Sequence, residues 1–178
     1  MIECAEILKS KIPNAVFFVT QSPNVKSEVY DRILNARSKF GTDIRRLIPS
    51  HSGEMYELVA SLDFALIASG TATLEAALIG TPYFLLYKAS WSTYELGKRL
   101  VRVPYLGMVN LLSKKSVVPE FIQTDILPEK IANAAFELLN NKQAINEMKN
   151  NFSHVKSQLG EKGAGKAAAT VIHRFISR

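Results

Sequence analysis

The residues of this sequence best suited to chemistry lie in one short stretch, Ala68-Ser69-Gly70-Thr71-Ala72-Thr73-Leu74-Glu75. It is small and rich in hydroxyls, follows an apolar run and leads into a helical pattern. The first amides of a helix have no partner inside it and carry the positive end of its dipole. A turn of small residues at that point lets an anion approach the main chain. Ser69, Gly70, Thr71, Ala72 and Thr73 therefore form a candidate phosphate seat, although a plain capped helix accounts for the same spacing equally well. Glu75 bears on the choice. With Thr71 as N-cap, a capping-box carboxylate belongs at position 74, which is Leu74. A carboxylate one turn inside the helix is acceptor-only and two-pronged, which suits the paired hydroxyls of a ribose. The pattern fits a sugar-nucleotide site better than a bare phosphate site.

Other groups are weaker candidates. His51 and Ser52 follow a strand-like segment at a helix start, where they could approach a base; an ordinary surface loop is the plainer account. Gly163-Ala164-Gly165-Lys166 resembles a phosphate loop only superficially. It lacks the spacing and the hydroxyl residue after the lysine, so it reads as a helix start. His154 and His173 have no metal-binding partner at helical spacing, and no metal or cofactor is expected. Trp91, Tyr94, Lys98, Arg99 and Arg102 fit either a solvated helix face, the plainer reading, or a face for an anionic membrane surface.

The elements that must position these residues alternate. Ala15 to Thr20 reads as a buried strand, followed by a helix ending near Arg37. Ile44 to Ile48 is a weaker strand, and Met55, Leu58, Val59 and Leu62 mark an amphipathic helix starting near Ser52. Phe64 to Ala68 is apolar without alternation, as a strand buried on both faces requires. The Thr71–Ile79 helix stops at Gly80 and Pro82. A strand at Tyr83–Tyr87 and a helix at Ser92–Val101 come next, while Leu106 to Leu112 reads as irregular or briefly extended. Apolar spacing then marks three closing helices, the first opened by Pro128.

Such alternation implies right-handed crossovers and a parallel, Rossmann-like sheet flanked by helices, the α/β class. Ligands in such sheets sit at the carboxyl ends of the strands. No repeat or linker divides residues 1–178, so a single domain is expected. Ile2 to Leu8 looks like the tail of a helix with no strand before it. The first strand of the sheet is therefore expected to be missing.

Composition narrows the partners. Hydrophobic residues make up 47% and charged residues 21%, as in ordinary globular chains. The net charge of +6 favours an anionic partner. No zinc-ligand spacing and no interleaving of aromatic with basic residues supports a nucleic acid. Cys4 is the only cysteine, so no internal disulfide can form, which suits a cytoplasmic setting. The acidic residues Glu3 and Glu6 argue against a signal peptide, and the apolar runs are too short to span a bilayer. Membrane contact would be peripheral.

Three blocks then carry a resemblance: Ala68 to Pro82 (ASGTATLEAALIGTP), Tyr94 to Gly107 (YELGKRLVRVPYLG) and Asn110 to Gln123 (NLLSKKSVVPEFIQ), with Tyr87 between the first two. In order and correctly spaced, they resemble the C-terminal domain of the lipid-A-disaccharide synthase family, and the likeness runs along essentially the whole chain. The resemblance implies half of a GT-B fold and an inverting, metal-independent glycosyltransferase. The implied reaction moves 2,3-diacylglucosamine from UDP to 2,3-diacylglucosamine 1-phosphate in lipid A biosynthesis, on the cytoplasmic side and peripheral to the inner membrane. It implies that UDP's diphosphate lies over Ser69 to Thr73, that the ribose lies near Glu75, and that Asn110 and Gln123 border the donor cleft. Val109 and Lys114 depart from the family pattern, which has Pro and commonly Gly at these positions. The family's N-terminal domain, with its acceptor site and acidic general base, and the Gly-Ser-Arg loop that opens the C-terminal domain are expected to lie outside this sequence. UDP or UDP-sugar binding without efficient turnover follows. The final helix, 163–178, would pack toward the absent domain; in its absence, the helix would drive self-association, for instance as a homodimer. Another GT-B enzyme using UDP-GlcNAc and a non-catalytic nucleotide or anion-binding module remain the alternatives.

Overall fold

A computed structural model describes residues 1–21, 25–37, 44–47, 52–100, 103–159 and 163–176. The elements run α1 (Ile2–Lys11), β1 (Phe17–Thr20), α2 (Ser27–Arg37), β2 (Ile44–Leu47), α3 (Ser52–Ser61), β3 (Ala65–Ala68), α4 (Thr71–Ile79) and β4 (Tyr83–Tyr87). Then come α5 (Trp91–Leu100), α6 (Met108–Ser113), β5 (Glu120–Ile122), a 3₁₀ turn (Gln123–Asp125), α7 (Pro128–Asn140), α8 (Lys142–Gln158) and α9 (Ala164–Ile176). Among the described residues every strand pairing is parallel: β1 with β2, and β3 with β4 with β5. The expected α/β class with a parallel sheet flanked by helices is the class the chain has.

The apolar run of β4 explains the two-sided core. Side chains alternate across a strand, so successive residues enter opposite layers. Tyr83 and Leu85 join Ala76, Ala77, Val109, Phe152 and Val155 on one face. Phe84 and Leu86 join Cys4, Leu8, Phe121, Ile131 and Ala135 on the other. The Tyr83 and Phe152 rings stack at 5.7 Å, and Phe64 meets Phe84 edge-on at 4.8 Å. Fully burying each such ring contributes about 1.5–3 kcal/mol.

Helix α4 has the bounds the sequence predicts. It ends on Gly80 in the left-handed conformation, φ 98°, with the amides of Gly80 and Thr81 both donating to Ala76 O. Pro82 then prevents continuation. The Thr81 hydroxyl donates to Val59 O at 2.6 Å and ties α3 to this corner. Pro128 opens α7, and Asn141 Oδ1 caps α8 by accepting from Ala144 N at 3.0 Å.

Several expectations are corrected. The first strand begins at Phe17 rather than Ala15, and its exposure alternates instead of being buried on both faces. Residues 108–113 form a helix where an irregular or extended stretch is expected. The short strand β5 is invisible to periodicity, since three residues are too few to show a period. Among the described residues no helix is long and apolar enough to cross a membrane, and no cluster of three or more His, Cys, Asp or Glu is placed to hold a metal.

Candidate functional site

Parallel strands bring the carboxyl ends of β3, β4 and β5 to one edge, with Ala68 beside Leu86 and Tyr87 beside Ile122. Ser69 N donates to Leu86 O at 2.9 Å, extending the ladder one residue past β3. The chain then turns into α4 with Gly70 as N-cap, in extended backbone. A Cβ at Gly70 would meet nothing within 4 Å, so the space before this turn is open. Ser69, Thr71 and Ala72 are exposed around it. Among the described residues the amides of Gly70, Thr71 and Ala72 make no hydrogen bond. Unbonded donors at a helix start, in reach of solvent, are the physical requirement for an anion seat.

Two details differ from expectation. The N-cap is Gly70, not Thr71, so a capping-box carboxylate would belong at position 73 and Glu75 lies two residues past it. Glu75 is half-buried and, among the described residues, makes no hydrogen bond or ion pair, which leaves its acceptor capacity open. Thr73 turns inward. It is 1% exposed, and its hydroxyl donates to Gly70 O at 2.7 Å. It shapes the turn instead of facing the open space. Below it lies Tyr83, wholly buried, whose hydroxyl makes no hydrogen bond of good geometry. Burial pushes the Tyr83 phenol up from its ordinary range; the neighbouring Thr73 hydroxyl opposes the shift and Glu120 adds to it.

Gln123 stands at the carboxyl end of β5, in the left-handed region at φ 50°. Its Oε1 accepts from Ala89 N at 2.7 Å and its Nε2 donates to Ala89 O at 3.1 Å. The carboxamide thus imitates a strand partner and continues the β4–β5 pairing beyond the sheet. It borders the edge, but with its polar atoms already engaged.

Asn110 is 1% exposed on α6 and faces the interior. Its Nδ2 donates to Val118 O at 2.7 Å and to Glu120 Oε1 at 2.8 Å; its Oδ1 accepts from the amides of Val117 and Val118, both at 2.8 Å. A carboxamide with two donor hydrogens and one acceptor oxygen is fully used by this arrangement. Glu120 also accepts from Leu106 N and Gly107 N, each at 2.9 Å. Sequence reasoning passed over Glu120. The signal was present, however: a lone carboxylate inside the apolar stretch VVPEFI. Lys88 was likewise missed; it is exposed and follows β4 at the same edge as Gly70.

His51 lies outside the described residues, as does Arg102. Ser52 begins α3, but its side chain and those of Lys98 and Arg99 are not among those described. Trp91 opens α5 and is 77% exposed. Lys114 closes α6 in the left-handed conformation at φ 53°, a backbone position that favours glycine. Val109 is buried in the core. Two surface hollows, about 410 Å³ along α9 and about 250 Å³ beside Val117, Leu138 and Met148, lie away from Ser69–Glu75.

Residues 1–174 match the family profile described as lipid-A-disaccharide synthetase. The chain is 32% identical to the lipid-A-disaccharide synthase of Sulfurihydrogenibium sp., an alignment covering 100% of this chain and 47% of that protein. It is 33% identical to that of Persephonella marina, covering 97% and 45%. It therefore spans about half the length of these curated relatives. Among solved structures, a mutant of the Thermobaculum terrenum O-GlcNAc transferase superposes with a TM-score of 0.62 at 15% identity, over 98% of this chain and 32% of that one. The GtfA/B complex superposes at 0.54 and 13% identity, over 88% and 29%. At those identities the likeness concerns the fold, the Rossmann-like half of a GT-B glycosyltransferase. The chain belongs to the lipid-A-disaccharide synthetase family.

Proposed function

We propose that this chain is the donor-binding part of a lipid-A-disaccharide synthase, holding UDP or UDP-2,3-diacylglucosamine for transfer to 2,3-diacylglucosamine 1-phosphate. The observation that carries the reading is the open turn at Gly70, where the amides of Gly70, Thr71 and Ala72 are unbonded and Glu75 follows one turn in. The diphosphate would lie against these amides with the Ser69 and Thr71 hydroxyls beside it. As the glycosidic bond to UDP breaks, negative charge grows on the leaving diphosphate. A fixed helix start stabilises that charge without reorganising, which is the main way such a site lowers a barrier. Glu75 would accept from the ribose hydroxyls. Asn110 and Gln123 serve as framework of this edge, and the segment at His51 and Ser52 would face the base.

Transfer needs more than one wall. In a two-domain cleft the second domain excludes water and supplies the base that activates the acceptor hydroxyl. This chain alone is accordingly proposed to bind donor without efficient turnover. The α9 face bearing Val171, Ile172, Phe175 and Ile176, each more than half exposed, would pack toward the family's other domain or, without it, against a second copy. The setting is cytoplasmic, against the inner membrane.

Calorimetric titration of UDP, with Glu75→Ala beside the natural chain, tests the donor site. Saturable binding that the variant weakens by about 1–3 kcal/mol supports it. A folded chain that binds no UDP would refute it. Measurable sugar transfer by this chain alone would refute the need for the second wall.

A further inference from the structure

Both ends of the α5 connection are held by side chains of one three-residue strand and the residue that follows it. The chain leaves β4 after Tyr87, and one residue past Lys88 the backbone of Ala89 is gripped on both its N–H and C=O by Gln123. It comes back at Leu106 and Gly107, whose amides both donate to the Glu120 carboxylate. Between these points α5 makes no extensive packing contact with another element among the described residues. Gly107 fits only because it lacks a side chain: a Cβ there would stand 2.9 Å from Leu85 Cδ1 and 3.1 Å from Glu120 Oε1.

We infer that Glu120 and Gln123 are positioning residues, a pair of pins that set where the α5 connection lies against the edge carrying Gly70, and thereby how well that edge receives a nucleoside diphosphate. The part concerning nucleotide rests on the donor-site reading above. The geometry links the two. Ser69 N donates to Leu86 O, so Lys88, Ala89 and Trp91 leave β4 beside the point where Gly70 and Thr71 leave β3, at the same edge of the sheet. A pin released at Ala89 or Gly107 frees the segment beside the open turn. Neither side chain needs to touch ligand, since Gln123 spends its polar atoms on the Ala89 backbone and Glu120 on the Leu106 and Gly107 amides and the Asn110 side chain. Glu120 is charged and half-buried, and it has amide hydrogens on both oxygens, an arrangement that gives charge-assisted and therefore strong bonds.

The sequence holds a single tryptophan, Trp91, two residues beyond the Ala89 pin and exposed, so its fluorescence reports on this segment alone. The experiment compares the natural chain with Gln123→Ala and Glu120→Gln. It reads hydrogen exchange at Ala89, Leu106 and Gly107, Trp91 anisotropy, the urea midpoint and UDP affinity. Gln123→Ala serves as the gentler variant if Glu120→Gln fails to fold. The expected result is faster exchange at the pinned amides, lower Trp91 anisotropy and UDP binding weaker by roughly three- to thirtyfold, with α7 and α8 exchange unchanged. Pinned amides that exchange as before in a folded variant would overturn the pins. Loosened amides with unchanged UDP affinity would overturn their link to the site. Absence of UDP binding by the natural chain would remove the donor-site reading and the link with it, and the exchange data would still decide whether the pins exist.

Discussion

Asn110 Nδ2 lies 2.8 Å from Glu120 Oε1, joining a helix to a strand across the face of the sheet. The pair forms the centre of a network that includes the backbone of Leu106, Gly107, Val117 and Val118. Replacing Asn110 with Ala leaves the Val118 amide and carbonyl buried without partners, and leaves the Val117 amide only its bond to Lys115 O. Each such loss costs about 1–3 kcal/mol, with partial relief as water enters. A drop of about 3 kcal/mol in unfolding free energy is expected from urea denaturation. A ligand-contacting Asn110 would instead lower UDP affinity at unchanged stability.

Gly107→Ala places a methyl group against Leu85 Cδ1 and Glu120 Oε1. Leu85 is packed in the core and Glu120 is held by three hydrogen bonds, so neither yields freely. A loss of about 1–3 kcal/mol is expected from overpacking. A melting temperature equal to that of the natural chain would contradict this account of the turn.

Lys114 pays the steric cost of a left-handed residue with a side chain, and it is exposed, so nothing compensates. Lys114→Gly should raise stability by about 0.5–1 kcal/mol, the relief of strain less the added freedom of the unfolded glycine. The change is seen as a higher urea midpoint with an unchanged slope.

Gly70→Ala separates fold from binding. The new Cβ meets no atom and the backbone there is extended, so the stability cost is that of alanine in place of a glycine N-cap, about 0.5–1.5 kcal/mol. The methyl would, however, occupy the space in which a phosphate would lie. A modestly lowered unfolding temperature, with the chain still folded at the assay temperature, together with markedly weaker UDP binding is the expected pair of results. UDP affinity equal to that of the natural chain would move the phosphate elsewhere.

Tyr83 predicts an alkaline response. Its phenol is raised by burial, so the unfolded chain gives up this proton first, near the ordinary value of 10.0. Its contribution to stability is therefore fully present below pH 10 and falls as pH climbs above it. Tyr83→Phe removes the titrating group. Between pH 9 and 11, the urea midpoint of the variant should decline less than that of the natural chain. Parallel declines would assign the alkaline limb to other groups.

What the sequence determined by itself is the part of the fold that local chemistry specifies. Tyr83–Tyr87 was legible as a strand because its run is apolar, but the burial on both faces expected of Phe64–Ala68 belongs to β4 instead, since β3 begins at Ala65 and is only partly buried, with Ala68 exposed. Thr71–Ile79 had its end fixed by Gly80 and Pro82, since one takes the left-handed angles and the other cannot extend a helix. The open turn at Ser69–Thr73 was legible for the same reason, as a run of small residues between a strand and a helix. Tertiary structure alone decided which way the polar groups face. Thr73 points inward because Gly70 is the cap; Asn110 serves the interior because Val117, Val118 and Glu120 surround it; and Gln123 binds Ala89, far earlier in the chain. Strand β5 exists because β4 offers it a ladder. Three residues carry no period of their own, and a polar side chain's partners, brought close by folding, leave no mark on its neighbours in sequence.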